Sequence, residues 1–407
     1  MNSLNMKNII IIISTGLVFL NLTIYLPFVK LWPLPAYTLD LFILITILWY
    51  NLKKRVQFPW GNPIIWWIIY DISLNFTYFL FSPAGEEQFL YIKFIFFLLI
   101  VLIYLILLFN LDNNQLSISR KTLVFLAPIA TITLLIDYFS PAYFYYGKEI
   151  VNYVAGRASS LYLNANLAGT GMLIFFVFGI DMVSKKNRMW FILIIFLGLF
   201  FTMSRSNLMI FFLLFIIMIF QKKFFIKDIS IFFIVVIIFF SWLGTGGLDY
   251  LADNYDLEVT DNMRNRVEFF SHHEAADTHD TDERKEVLTA ALDMFMNKPL
   301  LGNGFLSTRL WEYNVSPHNT IAMTLADFGL FGLLLILLML WVTTYNIFKY
   351  GQKEERQLAW LFIPFFLLSS SFSHNMLEMP FIVATIVLMA TLGYKSKNNF
   401  FLEKSND

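Results

Sequence analysis

The chain has 407 residues, of which 58% are hydrophobic, 18% aromatic and only 14% charged, and its formal net charge is zero. This composition excludes an ordinary soluble domain, and the zero net charge gives no overall basic character that would favour a nucleic-acid partner. Because the chain contains no cysteine, disulfides, thiolate catalysis and cysteine-based zinc or iron–sulfur sites are also excluded.

Apolar runs of about 18 to 20 residues, long enough to cross the hydrocarbon core of a bilayer, recur along the chain. Their hydrophobicity is continuous and does not alternate, so helices satisfy the backbone in lipid and a barrel does not. We therefore predict an all-α, polytopic membrane protein of about twelve transmembrane helices. The first run follows a lone Lys7 and lacks a small-residue cleavage site, which predicts an uncleaved helix. The predicted spans are 8–29, 34–50, 63–81, 90–109, 121–139, 165–183, 188–204, 206–220, 228–244, 319–348, 358–373 and 377–394.

The distribution of Lys and Arg beside these spans predicts their orientation, because such residues are enriched on the cytoplasmic side. Alternate loops carry them, which places both termini in the cytoplasm and the segments 140–164 and 245–318 outside. The predicted organisation is residues 1–244 with the first nine helices, 245–318 as a large extracytoplasmic loop, 319–395 with the last three helices, and 396–407 as a cytoplasmic tail.

Loop 245–318 is the one polar region long enough to fold as a small cap. Within it, Asp282–Asn297 has helical periodicity, and Lys298–Pro299 is a stop signal. This pattern predicts an amphipathic helix that lies on the membrane or over a cavity. The residues predicted to share its apolar face are Val287, Leu288, Ala291, Leu292 and Phe295.

Four arginines are predicted on the outer side, at or near span ends: Arg157, Arg205, Arg284 and Arg309. A planar guanidinium suits a phosphate or pyrophosphate, although anchoring to lipid head groups explains a single such arginine equally well. Arg205 is the strongest candidate, because the apolar spans on either side hold its charge tightly at the membrane face.

The five histidines are all predicted outside, where an imidazole can accept a proton near neutral pH. His318 is the best placed base, since it lies where the loop meets the tenth span; a helix-capping or solvated role is the alternative. The others are His272, His273, His279 and His374.

Residues 272–283 have the imidazole and carboxylate density of a metal site, and Asp280-Thr-Asp282 matches the acidic triplet of nucleotide-sugar glycosyltransferases. We interpret the run as a solvated face and predict no metal site, because nucleotide sugars are cytoplasmic and this loop is external. Four carboxylates in or near predicted spans are functional candidates by position, and their wide separation argues against a single proton relay. They are Asp71, Asp137, Asp181 and Asp327.

Several of these residues occur in a characteristic order. The series is Arg284, Leu288, Ala291-Leu292, Pro299-Leu-Leu-Gly302-Asn-Gly304, His318-Asn319 and Gly329-Leu-Phe-Gly332. It resembles the O-antigen ligase and O-antigen polymerase superfamily over about residues 280–335. Upstream, Gly156-Arg157 followed by Asn164-Ala-Asn166, and Ser204-Arg205, also agree. Leu288 stands where the family usually has an aromatic residue, and Ala165 where Pro is frequent.

The resemblance implies a metal-independent glycosyltransferase of the GT-C type in the bacterial inner membrane, without a cofactor. Its donor would be an undecaprenyl-diphosphate-linked glycan, transferred to an acceptor hydroxyl on the outer face. Arg205 and Arg284, with Arg157, would bind the diphosphate and stabilise its departure. His318 would take the acceptor proton, with inversion at the anomeric carbon. His318 and Arg284 are thus the predicted catalytic residues.

The resemblance leaves the acceptor open. A polymerase of capsule or O-antigen repeats, acting with a chain-length regulator and a flippase, is favoured over a ligase that transfers the glycan to lipid A core during lipopolysaccharide synthesis. From a different class, a lipid-linked oligosaccharide flippase or transporter remains an alternative, as does a non-catalytic scaffold. A flippase needs no base, so it predicts that His318→Ala leaves function intact.

Overall fold

The computed structural model of the protein describes residues 6–31, 60–81, 111–145, 156–247, 249–250, 253, 264, 278–313, 315–373 and 376–406. Every regular element in these ranges is helical, in keeping with the all-α prediction. The α-helices are α1 (Met6–Phe19), α2 (Leu22–Phe28), α3 (Ile64–Phe81), α4 (Asn113–Phe139), α5 (Ala142–Tyr145), α6 (Ala165–Gly179), α7 (Arg188–Thr202), α8 (Arg205–Phe220), α9 (Ile226–Trp242), α10 (Thr278–Asn297), α11 (Thr320–Tyr350), α12 (Lys353–Phe372) and α13 (Pro380–Asn406). Short 3₁₀ turns cover Ser160–Tyr162 and Ile180–Met182, and Leu243–Gly247 is a π-helical turn.

The predicted spans coincide with described helices, except for 34–50 and 90–109, which lie outside the described residues. Two helices are longer than predicted. Helix α4 begins at Asn113, about two turns before the predicted start. Helix α13 continues to Asn406 and so includes most of the segment predicted as a tail.

Three helices in the described part of the chain are long and apolar enough to cross a membrane: α4, α6 with its 3₁₀ extension, and α11. A fourth is added if the bent pair α1 and α2 forms one span, and α3, α7 and α8 are shorter apolar helices. Several apolar helices therefore suit a membrane, while the total of twelve spans remains a prediction.

The first predicted span is broken. Helices α1 and α2 meet at an angle of 65°, because Asn21 adopts the left-handed conformation with φ 56°. Asparagine tolerates this conformation better than most residues. The Asn21 amide also donates a hydrogen bond of 3.1 Å to the carbonyl of Leu161, which fixes the bend.

The chain divides into two compact units. The first comprises residues 1–19, 32–119 and 283–407, and the second comprises 20–31 and 120–282. In the first unit, α11 packs against α3, α12 and α13, and α13 also contacts α1. In the second unit, α6 packs against α7 and α8, and α9 packs against α7.

Helix α6 is the centre of the second unit, and almost all of its side chains are buried. A helix that is apolar on every side is expected to be surrounded by other elements. Its glycines allow close packing: a Cβ on Gly171 would lie 2.6 Å from the Tyr162 ring. The centre of this unit is therefore formed by the helix that begins directly after Asn164.

Candidate functional site

Asn166 is the centre of a polar cluster at the start of α6. The side chain of Asn164 caps the helix by accepting from the backbone N–H groups of Asn166 and Leu167, at 2.9 and 3.3 Å. The Oδ1 of Asn166 accepts from Nη2 of Arg157 at 2.8 Å and from Oγ of Ser204 at 3.1 Å. The structure therefore joins the two upstream segments that the sequence analysis singled out.

Asn207 completes this cluster. Its Nδ2 donates to the backbone carbonyl of Asn166 at 2.9 Å and to Oγ of Ser204 at 3.0 Å. Gly169 makes room for the amide, since a Cβ there would lie 2.2 Å from Asn207 Nδ2. The sequence analysis missed Asn207 and Gly169, although Asn207 lies close to Arg205 in the sequence.

The segment that follows Arg157 is fixed by a buried carboxylate. Oδ2 of Asp137 accepts from the backbone N–H groups of Ser159 and Ser160, both at 2.7 Å. The N–H of Ala158 donates to the carbonyl of Phe201 at 3.0 Å. The structure thus gives Asp137, a functional candidate by position, the role of holding the Arg157 segment.

Arg205 is the first residue of α8 and follows Ser204, the N-cap. Arg157 and Arg205 are both partly buried. Each guanidinium is thus attached close to the N-terminal end of an apolar helix, where the helix dipole is positive. Two arginines close to two helix N-termini make this end of the second unit suited to an anion.

The opposite end of the same helices carries an ion-pair network. Nζ of Lys223 contacts both carboxylate oxygens of Asp181 at 2.6 Å, and Arg188 Nη2 lies 3.8 Å from Asp181. Burial lowers the pKa of Lys223, and the Asp181 carboxylate opposes this shift. The network ties the two loops that bracket α7 and α8, so the structure gives Asp181 a structural role. The lysine-rich loops thus lie at the helix ends away from Arg157 and Arg205.

In the first unit, His318 directly precedes the N-cap of α11 and is partly buried. Oδ1 of Asn319 accepts from the N–H of Ala322 at 2.9 Å, which explains the asparagine of the His-Asn pair as a helix cap. The N–H of Thr320 donates to the carbonyl of Ser373 at 2.8 Å. His318 is therefore carried by a helix end that is fixed to the connection between α12 and α13.

Helix α11 is broken at Gly329, whose φ of 60° and ψ of −141° are accessible only to glycine. Gly302 meets it there with φ 70°. A Cβ on Gly302 would lie 2.4 Å from the carbonyl oxygen of Asp327, and one on Gly329 would lie 2.6 Å from that of Pro299. Both glycines are thus required by the close contact between the two backbones.

The Pro-Leu-Leu-Gly-Asn-Gly segment satisfies the backbone groups that the break releases. The N–H groups of Asn303 and Gly304 donate to the carbonyls of Ala326 and Asp327, at 2.9 and 3.0 Å. The N–H of Leu330 donates to the carbonyl of Pro299 at 2.8 Å. The motif is therefore explained as the partner of a broken helix.

Asp327 fixes the next part of this loop. Its Oδ1 accepts from Oγ of Ser307 at 2.7 Å and from both the N–H and Oγ1 of Thr308 at 3.0 Å. Arg309 follows and forms an ion pair with Glu378, in the connection between α12 and α13. The sequence analysis did not identify Glu378. Asp327 thus has a structural role.

The amphipathic helix predicted in the large loop is present as α10. It begins one turn before the predicted start, so Arg284 lies within the helix and is exposed. Ala291 packs against Ala322 and Ala326 of α11, with Leu288 at the edge of this cluster. Of the predicted apolar face, Leu292 is exposed.

The register of α10 and α11 relates Arg284 to His318. Nδ2 of Asn303 donates to the carbonyls of both Met294 and Ala326 at 2.9 Å. Met294 of α10 is therefore at the same height as Ala326 of α11. Since Pro299 meets Leu330, the two helices run in the same direction here. Two turns before Ala291, Arg284 is therefore at the end of the pair where α11 begins and where His318 lies.

A family model described as O-antigen ligase matches residues 190–337. This match, which covers about a third of the chain, supports the predicted resemblance to the O-antigen ligase and polymerase superfamily. No curated protein sequence gives a significant match. The matched segment includes Arg205, Arg284 and His318, whereas Arg157 and Asn166 lie before it.

The matched family implies a glycosyltransferase-like ligase or polymerase activity with a lipid-linked glycan and an acceptor as substrates. Among the residues that the structure describes, no group of three or more His, Asp or Glu is placed to hold a metal ion. His272, His273 and His374 lie outside those residues. Of the predicted site residues within the match, Arg205 belongs to the second unit, and Arg284 and His318 belong to the first.

Proposed function

We propose that this chain is a metal-independent, inverting glycosyltransferase that transfers a glycan from undecaprenyl diphosphate to an acceptor hydroxyl on the outer face of the bacterial inner membrane. We further propose that it is a polymerase of capsule or O-antigen repeat units. The observation that carries this proposal is the cluster in which Arg157 and Ser204, the residue before Arg205, share the oxygen of Asn166.

The arginines support the departure of the diphosphate. When the bond between the anomeric carbon and the phosphate oxygen breaks, negative charge accumulates on that oxygen. In this proposal, Arg157, Arg205 and Arg284 bind the charged leaving group. The bond from Arg157 to Asn166 holds one guanidinium in place, which reduces the reorganisation that the reaction requires. A guanidinium that forms two hydrogen bonds with a phosphate stabilises this negative charge without a metal.

His318 supports the attack of the acceptor. The imidazole removes the proton of the acceptor hydroxyl while its oxygen bonds to the anomeric carbon from the face opposite the diphosphate, which inverts that carbon. The Asn319 cap and the bond from Thr320 to Ser373 hold the residues next to His318, so the base is carried on a rigid helix end.

The distribution of basic residues supports the proposed outward orientation of the Asn166 cluster. In the second unit, Lys223 and Arg188 lie at the helix ends opposite Arg157 and Arg205. Because basic residues are enriched on the cytoplasmic side, this distribution supports an outer position for the Asn166 cluster. The Lys and Arg residues of the alternate loops support the cytoplasmic position that we propose for both termini.

A ligase that transfers the glycan to lipid A core is the second candidate, favoured by the description of the matching family model. The two activities share donor and chemistry and differ in acceptor. The distribution of polysaccharide chain lengths therefore distinguishes a polymerase from a ligase.

The test is a gel ladder of surface polysaccharide from a deletion strain that carries wild type, His318→Ala or Arg284→Ala, with membrane protein levels measured. Arg264→Ala is the matched control, because Arg264 forms an exposed ion pair with Asp249. A deletion strain with single repeat units only would identify a polymerase. Long lipid-linked chains that are missing from lipid A would identify a ligase. Normal ladders from both point variants would contradict the catalytic assignment and favour a flippase.

A further inference from the structure

The C-terminal end of α10 and the turn after it expose a run of large apolar side chains. Met296, Leu300 and Leu301 are 71%, 66% and 64% exposed, and Leu292 is 42% exposed. We call these four residues the apolar surface of α10. A contiguous apolar surface on a protein usually marks contact with another molecule or with a membrane.

This surface belongs to a stripe whose polarity changes along the helix. Lys285, Thr289, Leu292 and Met296 recur at the spacing of one helical face, and all four are exposed. The stripe is charged or polar at its N-terminal end and apolar at its C-terminal end. Because α10 runs parallel to the first part of α11, the apolar end approaches the break at Gly329.

The apolar surface continues a lipid-facing stripe on α11. The bond from the N–H of Leu330 to the carbonyl of Pro299 places the turn beside Leu330. From there, exposed apolar side chains follow α11 at spacings of three and four residues. They are Leu330, Leu334, Leu337, Trp341 and Tyr345.

The length of α11 indicates where the break at Gly329 lies relative to the hydrocarbon core of the bilayer. From Leu330 to its end at Tyr350 the helix measures about 31 Å, which equals the hydrocarbon thickness of about 30 Å. Tyr345, Lys349 and Tyr350 lie in the last turn and a half of the helix, as expected for residues near a membrane boundary. The break at Gly329 is therefore at the other boundary, and the helix before it extends out of the hydrocarbon.

We propose that the apolar surface of α10 binds the outer leaflet of the bilayer, with lipid acyl chains as its partner. The exposed Lys298 lies at its edge, where an ammonium reaches head-group phosphates. This anchor fixes the height of His318 above the lipid surface, because the helical turns from Thr320 to the break measure about 14 Å. The proposal does not depend on the glycosyl transfer proposed above.

The absence of cysteine from the chain provides a direct test. Single cysteines replace Met296, Leu301, Lys285 or Leu334 in the full-length protein, and each carries a nitroxide label in phosphatidylethanolamine and phosphatidylglycerol vesicles. Collision rates with oxygen, which partitions into lipid, and with a water-soluble nickel complex are then compared. Lys285→Cys is the matched control on the same stripe, and Leu334→Cys is the lipid reference.

We expect the labels at Met296 and Leu301 to resemble the Leu334 reference, with an oxygen-to-nickel ratio several-fold above that at Lys285. Nickel access equal to that at Lys285 would show that the surface is in water and would overturn the proposal. Protection from both reagents would show that protein covers it and would equally overturn the proposal. If a variant does not accumulate, Leu300→Cys provides the same readout at a third exposed position.

Discussion

The Arg157 segment of the second unit and the Arg309 segment of the first are held in the same way but by different groups. In each, a single oxygen of a buried aspartate on a long helix accepts several hydrogen bonds from the arginine's neighbours. Within the part of the chain that the structure describes, the groups that donate to Asp137 are backbone N–H groups. Asp327 receives two hydroxyls and one N–H.

The two segments differ in how far their hydrogen bonds depend on particular side chains. A backbone N–H is present whatever the side chain, so the Arg157 segment depends on its own conformation and on the position of Asp137. The Arg309 segment depends on the hydroxyls of Ser307 and Thr308, and also on the close contact between Gly302 and Gly329. The first unit should therefore be the more sensitive to substitution.

The largest effect is expected from Gly329→Ala. An alanine there is forced into a glycine-only conformation, with its Cβ 2.6 Å from two carbonyl oxygens, so we expect a loss of at least about 3 kcal/mol of stability. Gly246→Ala is the control, because Gly246 also has a positive φ but nothing lies within 4 Å of its Cβ position. It should cost about 1 kcal/mol. Unfolding midpoints in detergent measure both; equal losses would disprove a role for the close contact.

Removal of the two carboxylates should have the next largest effect. Asp327→Ala leaves the buried N–H and hydroxyl of Thr308 without their acceptor, and we expect it to cost about 3 kcal/mol. Asp137→Ala leaves two N–H groups and should cost about 2 kcal/mol. The same unfolding measurement ranks them, and Asn at either position restores part of the loss by keeping an acceptor. A larger loss at Asp137 would reverse the comparison.

The smallest effect is expected from single hydroxyls. Thr308→Val removes one of the bonds to Asp327 and should cost about 1 kcal/mol. Ser160→Ala keeps both bonds to Asp137 and loses only a 3.1 Å contact with Thr133, so we expect about 0.5 kcal/mol. The two variants are compared by thermal unfolding in the same detergent. A Ser160→Ala loss as large as that of Thr308→Val would mean that hydroxyls matter equally in both segments.

The sequence predicted the positions of the described helices, but it did not predict the break within the first of the predicted spans. The apolar runs predicted the described helices because lipid imposes the same length and polarity on every span. Periodicity predicted α10 and its stop at Lys298, since local stop signals are read directly. The break at Asn21 was not predicted, because the hydrogen bond that fixes it is made to Leu161, which is distant in the sequence.

The candidate site was predictable in part. Arg205 and His318 were selected by their positions at span ends, and the resemblance to a superfamily then gave them and Arg284 a role; the matched segment includes all three. Asn207 and Glu378 were missed because their partners are far along the chain. The structural roles of Asp137 and Asp327 could not be read either, since a carboxylate in an apolar run gives no sign of which distant N–H it accepts from.

The break in α11 also constrains how the protein is made. Its released carbonyls are satisfied by Asn303 and Gly304 on one side, and the Phe328 carbonyl accepts from the hydroxyl of Tyr78 at 3.4 Å. All of these partners precede Gly329 in the chain, so they have already left the ribosome when the helix emerges. The donors are therefore synthesised before the break that they complete, so the carbonyls released at the break can be satisfied as soon as the helix forms.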